Sequence, residues 1–107
     1  MIKVIVRYKD KQIQEVKVSG HANSAEYGKD LVCAGVSTVC SGIANTLVTY
    51  RFLDDNMGTI DYQEGFVRIK VNQFDEKIQV VLETFVISLM TIEESYSKYI
   101  KITKMEV

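Results

Sequence analysis

Apolar and polar positions alternate at the start of the chain. Ile2, Val4, Val6 and Tyr8 fall on one side of an extended segment, with Lys3, Ile5 and Arg7 on the other. A period of two is the signature of a half-buried strand. Lys9-Asp10-Lys11-Gln12 reads as a polar turn, and Ile13 to Val18 returns as a second strand. The two segments form a predicted hairpin. The next stretch, Ser19 to Asp30, is small and polar with no sustained period. A loop of about ten residues is expected there, a length often put to functional use.

The period then changes. Val32, Val36, Val39, Ile43, Leu47, Tyr50 and Leu53 recur at steps of three and four. That stripe predicts a helix of about six turns. Asp30 stands where an N-cap would accept from free N–H groups, and Asp54-Asp55-Asn56-Met57-Gly58 ends the helix with turn residues. Thr59 to Gln63 and Phe66 to Asn72 flank Glu64-Gly65 as a second hairpin. Glu76 to about Tyr96 is a second helix, apolar on more than one face, from Ile78 and Val80 through Ile92. Such a helix needs two burial partners. The sheet is one. The first helix or a second copy of the chain is the other, so a homodimer is expected. Tyr99 to Met105 is a last strand. The order β-β-α-β-β-α-β predicts a two-layer α+β fold, a mostly antiparallel sheet with both helices on one face.

Composition narrows the function. The chain has 107 residues, 47% hydrophobic and 25% charged. One folded domain spanning 1–107 is expected. Thirteen Lys+Arg against fourteen Asp+Glu give a net charge of -1. That balance argues against strong RNA affinity and a direct nucleic-acid partner. The N-terminus has no signal-peptide pattern, and the longest apolar-rich region, read as Ile78–Ile92, falls short of a membrane span. A cytoplasmic protein without a membrane partner is expected. No CxxC, GxGxxG or Walker-type loop occurs, so neither a structural metal nor a nucleotide cofactor is indicated.

The chemically special residues are few: one histidine and two cysteines. His21 lies in the irregular loop, and Cys33 follows in what the pattern places as the first helical turn. Free N–H groups and the helix dipole favour a thiolate at that position, by roughly 0.3–1 kcal/mol and up to about 2 when partly buried. Gly20 and Gly28 would let the loop bring His21 back over the helix end. A Cys–His pair of the nucleophile–base type results. The plainer alternative is a small buried thiol and a solvated histidine. Cys40 lies on the apolar stripe and reads as a buried structural thiol. It sits about 10.5 Å along the helix axis from Cys33, too far for a disulfide.

The segment Gly20-His21-Ala22, followed by Gly28-Lys29-Asp30-Leu31-Val32-Cys33-Ala34 and Val36-Ser37, resembles the signature of the ribosomal-processing cysteine protease family, known as Prp. The preceding hairpin, the long helix and the chain length fit the same family. The resemblance implies removal of a short N-terminal extension from a large-subunit ribosomal protein, the one numbered twenty-seven. It places the nucleophile at Cys33 and the general base at His21, with Gly20, Ala22, Gly28, Asp30, Ala34 and Ser37 in supporting positions. Asp30 would cap the helix, orient His21, or both. Ser37 would donate to substrate or bond the carbonyl of Cys33. Backbone N–H groups near Cys33 and Ala34 are the expected oxyanion donors. A pair assembled only when substrate orders the loop is a further expectation. A non-catalytic ribosome-associated binding module is the competing reading, and a thiol redox sensor, which lacks a neighbouring resolving cysteine, a third.

Overall fold

The computed structural model describes residues 1–20 and 29–107. His21, Ala22 and Gly28, the histidine–thiol pairing and the ordering of their loop lie outside the described residues. Strands β1 (Ile2–Lys9) and β2 (Gln12–Ser19) form the first hairpin, and α1 (Lys29–Thr49) follows. Strands β3 (Gly58–Gln63) and β4 (Phe66–Val71) form the second hairpin, then come α2 (Glu76–Tyr96) and β5 (Ile100–Glu106). The element order is the one predicted. The five strands lie in the order β3-β4-β2-β1-β5. Every pairing is antiparallel except β1 with β5.

Alternation decides which side of the sheet is covered. Val4, Val6, Val16, Val18, Val67 and Ile69 are buried on one face, under both helices. α1 contributes Val32, Val36, Cys40, Ile43 and Leu47, and α2 contributes Ile78, Leu82, Phe85, Val86 and Leu89. The helices pack on each other, closely at Gly35, where an added Cβ would stand 3.8 Å from Cδ1 of Ile92. The second partner of α2 within the chain is thus α1. Val80, Ile87 and Met90 remain exposed on it.

Local chemistry sets the boundaries. Asp75 caps α2 by accepting from the N–H of Ile78 at 3.0 Å. Asp10 and Lys11 both have positive φ, 52° and 66°, the conformation of a two-residue hairpin turn matched to strand twist. A bulge at Arg7/Tyr8 shifts the β1–β2 register and carries Ile13 beyond the reach of β4. Gln79 meets its backbone instead: the Ile13 N–H donates to Oε1 at 2.8 Å, and Nε2 donates to the Ile13 carbonyl at 2.9 Å. At the other edge, Glu93 accepts from the N–H of Ile102 at 2.7 Å.

The end of α1 departs from the sequence reading, which ran the stripe through Tyr50 to Leu53. The helix stops at Thr49, and Tyr50 and Leu53 are exposed. Arg51 adopts φ 63°, its N–H donates to the Val48 carbonyl, and the N–H of Phe52 donates to that of Leu47. This is a Schellman stop, completed by the apolar residues Leu47 and Phe52, both 0% exposed. Burying the phenyl ring gains more than one further turn of helix with two side chains in water. Phe52 also explains Gly58: a Cβ there would collide with the ring and with the Lys70 carbonyl.

The longest apolar-rich stretch is α1, and not Ile78–Ile92 as the sequence reading had it. Asp30–Thr49 has a mean hydropathy of 1.7, long and apolar enough by composition to cross a membrane. Valines, leucines, an isoleucine and the two cysteines raise that value, and the buried stripe among them packs in the core beneath the helix. Phe52→Ala should cost roughly 3–5 kcal/mol, as for other buried aromatics, read as a lowered urea midpoint with an unchanged slope.

Candidate active site

Cys33, Ser37 and Ser41 stand at i, i+4 and i+8 on α1, one line beside the buried Val32–Val36–Cys40 stripe. The line faces the second hairpin across a cleft of about 320 Å³. Cys33 and Ser37 line it from the helix, Gly20 from the end of β2, and Tyr62, Glu64 and Phe66 from the hairpin. Cys40 and Val36 form part of its floor. The Tyr62 hydroxyl and Ser41 Oγ share a hydrogen bond of 2.7 Å that ties β3 to α1.

Gly20 is fixed on three counts. Its φ is +99°, an added Cβ would lie 2.5 Å from the Met1 carbonyl oxygen, and its N–H donates to the Gly65 carbonyl at 3.0 Å. Only glycine satisfies that combination. The chain therefore leaves the sheet toward position 21 from the wall of the cleft that holds Cys33. The structure brings Gly20, Cys33 and Ser37 to one cleft. Ala34 and Asp30 are exposed outside its lining.

Two expectations about the helix start need correction. α1 begins at Lys29, so Asp30 is a first-turn residue and not the N-cap. Its carboxylate still lies near the positive helix end. Cys33 is correspondingly the fifth helical residue, beyond the first turn. The N–H groups left free by helix geometry precede position 32, whereas those of Cys33 and Ala34 fall within the i→i−4 ladder. They are not the free oxyanion donors the sequence reading placed there. That assignment followed from starting the helix too late, and the dipole's help to Cys33 shrinks with it.

The two thiols have different surroundings. Neither is in a disulfide, and Cys33 is half-buried while Cys40 is buried. Burial without a compensating charge pushes the Cys40 thiol up to about 11. Neutral pH leaves it protonated and inert. The hairpin wall was missed from sequence. Tyr62 and Phe66 sit in a strand pattern like any other, and only the pairing of β4 with β2 brings them beside α1.

The sequence model of the family described as cysteine protease Prp matches residues 1–101. The chain belongs to the Prp family of cysteine proteases. It is 33% identical over 106 residues to the ribosomal processing cysteine protease Prp of Staphylococcus aureus, covering 95% of this chain and 97% of that protein. It is 35% identical over 104 residues to the Prp of Bacillus subtilis, covering 92% of each. Among solved structures it resembles an essential ribosomal processing protease Prp from S. aureus in complex with a substrate peptide. The TM-score is 0.84 at 32% identity, over 97% of this chain and 99% of that one. The S. aureus protease in complex with a covalently linked product peptide is also similar, with a TM-score of 0.82 at 33% identity over the same shares. Membership in Prp makes this chain a cysteine protease, a peptide hydrolase of the ribosomal-processing family, and the two-layer α+β fold is that of its solved relatives.

At pH 7.5 iodoacetamide should modify Cys33 in the native protein and leave Cys40 untouched, while urea should make both reactive. Peptide mapping by mass spectrometry reads the two sites separately.

Proposed function

We propose that this protease is an endopeptidase that removes the N-terminal extension of the large-subunit ribosomal protein numbered twenty-seven. In this reading Cys33 is the nucleophile and His21 the general base. The carrying observation is the placement of Cys33 on the cleft that Gly20, the residue before His21, also lines. Curated relatives named for ribosomal processing, and a solved relative holding a covalently linked product peptide, support the same chemistry. Two cysteines outside any disulfide suit a reducing compartment, in keeping with a cytoplasmic site of action.

The steps follow from general thiol chemistry. His21 takes the Cys33 proton, and the sulfur attacks the scissile carbonyl carbon. The C–N bond breaks, the imidazolium protonates the departing amine, and a thioester joins Cys33 to the N-terminal fragment. Water activated by His21 then hydrolyses the thioester, releasing the acid and restoring the thiol. The cleft accepts the segment before the cut, with Tyr62 and Phe66 as its aromatic wall. Ser37, one turn beyond Cys33, stands where its hydroxyl can donate to that segment.

Incubation with the host ribosomal protein carrying its extension tests the reading. Cys33→Ala and His21→Ala should each slow cleavage by roughly 10³-fold or more, read by mass. Cleavage by either variant at the wild-type rate would overturn the dyad, and function retained by Cys33→Ala would favour a binding module.

A homodimer through α2 is part of the same proposal. Val80, Ile87 and Met90, with exposures of 56%, 62% and 39%, put apolar side chains in water along that helix. A second copy would cover them. Ile87→Lys should shift the protein from dimer to monomer in sedimentation velocity, and the cleavage rate of that variant shows whether pairing is needed.

A further inference from the structure

The outer face of the sheet carries a charge pattern that total charge hides. Inward alternation of Val4, Val6, Val16, Val18, Val67 and Ile69 sends the residues between them outward. The strand register then brings together Lys3, Arg7, Lys17, Arg68, Lys70 and Lys101. Lys3 pairs with Lys101, Lys17 with Arg68, and Arg7 and Lys70 both flank Glu15. The acidic residues in these outward positions are Glu15 and Asp61. Glu15 is largely consumed: it is 6% exposed and bonded by Arg7 at 3.2 Å and Arg68 at 2.8 Å. Lys3, Lys70 and Lys101 are exposed. The opposite layer is acidic, since α2 carries Glu76, Glu83, Glu93 and Glu94 against Lys77. A chain with a net charge of -1 is therefore polarised across its thickness.

We propose that the outer sheet face docks the phosphate backbone of RNA. From Lys101 to Lys70 the patch crosses three strand spacings, about 14 Å, and it runs about four residues, some 13 Å, along the strands. Lysines and arginines over such an area neutralise several phosphates at once, an interaction that is independent of sequence. Phe66 is the aromatic in these outward positions, too little for a base-stacking platform, so backbone recognition dominates. Ile5 and Met105 are the aliphatic residues in these outward positions, too few for the apolar fringe a lipid surface would favour, and Glu15 and Asp61 stand among the cations. The choice of RNA rests on the proposed ribosomal substrate, whose surroundings are RNA. Phe66, at the start of β4, borders both the outer face and the cleft, while the basic side chains lie on the side of the sheet opposite the helix layer that bears Cys33, so docking leaves the cleft open.

The test measures fluorescence anisotropy of a labelled RNA duplex of about 16 base pairs against a salt series. Wild-type protein should bind at low salt and lose affinity linearly on a log–log plot. Lys3→Gln/Lys70→Gln/Lys101→Gln should weaken binding at least tenfold and lower the slope by about two to three, near 0.9 for each phosphate no longer neutralised. The matching triple Arg variant should bind like wild type, and so should Lys77→Gln on α2. Equal binding by the triple Gln variant, or no wild-type binding at low salt, would overturn the proposal. So would equally tight binding to poly-aspartate or to phosphatidylglycerol vesicles. Peptide cleavage, measured in parallel, separates the two readings. Cleavage without RNA binding defeats only the docking face, and lysine-dependent RNA binding without cleavage defeats only the proposed substrate.

Discussion

The alternation of β1, held between antiparallel β2 and parallel β5, is the constraint on which the rest of the molecule depends. Its even-numbered residues Ile2, Val4 and Val6 are 4%, 1% and 0% exposed. A slip of one residue would put Lys3 and Arg7 beneath the helices and three aliphatic side chains in water, an outcome the burial of charge forbids. The register of β2 follows from β1, and that of β4 from β2. The end of β2 at Ser19 then falls opposite Lys3, and Gly20 meets the Met1 carbonyl and the Gly65 turn. The cleft wall is a downstream consequence of one strand's two-sided pattern.

Much of this was legible because the local signals agree. Glu76–Tyr96 could be read to its ends: Asp75 is a strong cap, and nothing inside the helix competes with its apolar period. The two hairpins were legible from Asp10-Lys11 and Glu64-Gly65. Helix α1 was harder at both ends. At its C-terminus the period of three and four continues through Tyr50 and Leu53, so periodicity favours more helix than exists. The stop is decided by the burial of Phe52 against Leu47 and Gly58, a tertiary contact across a turn. At its N-terminus, Asp30 resembles a cap, and the two residues of difference moved Cys33 out of the first turn.

The site divides in the same way. A lone histidine and a thiol beside glycines pointed to Cys33 within a short segment of sequence. The hairpin that faces Cys33 is separated from it by some thirty residues, and no local pattern distinguishes Tyr62 from any other strand tyrosine. Its link to Ser41 exists because the register puts β3 at the sheet edge nearest α1. Net charge is blind to placement for a related reason. It sums over residues, and the alternation that buries valines also collects lysines on the reverse side.

Cys33 and Cys40 show how one helix can hold two thiols with separate fates. Seven residues apart, they lie almost two full turns from each other, close to the same angular position. The difference between them comes from depth alone. Cys40 sits where the helix is pressed on the sheet, at 2% exposure, and desolvation holds its proton. Cys33 sits on the line of Ser37 and Ser41, beside the buried Val32–Val36 stripe, at the mouth of the cleft. A helix crossing the edge of its own core thus supplies an inert thiol as packing and an accessible one for chemistry. A nucleophile placed one turn deeper would face the cost of ionising in an apolar surround. One placed before the helix would lose the rigid backbone that keeps its sulfur in line with Ser37. The position of Cys33 satisfies both demands of the proposed nucleophile, with the helix dipole already weakened at a fifth residue.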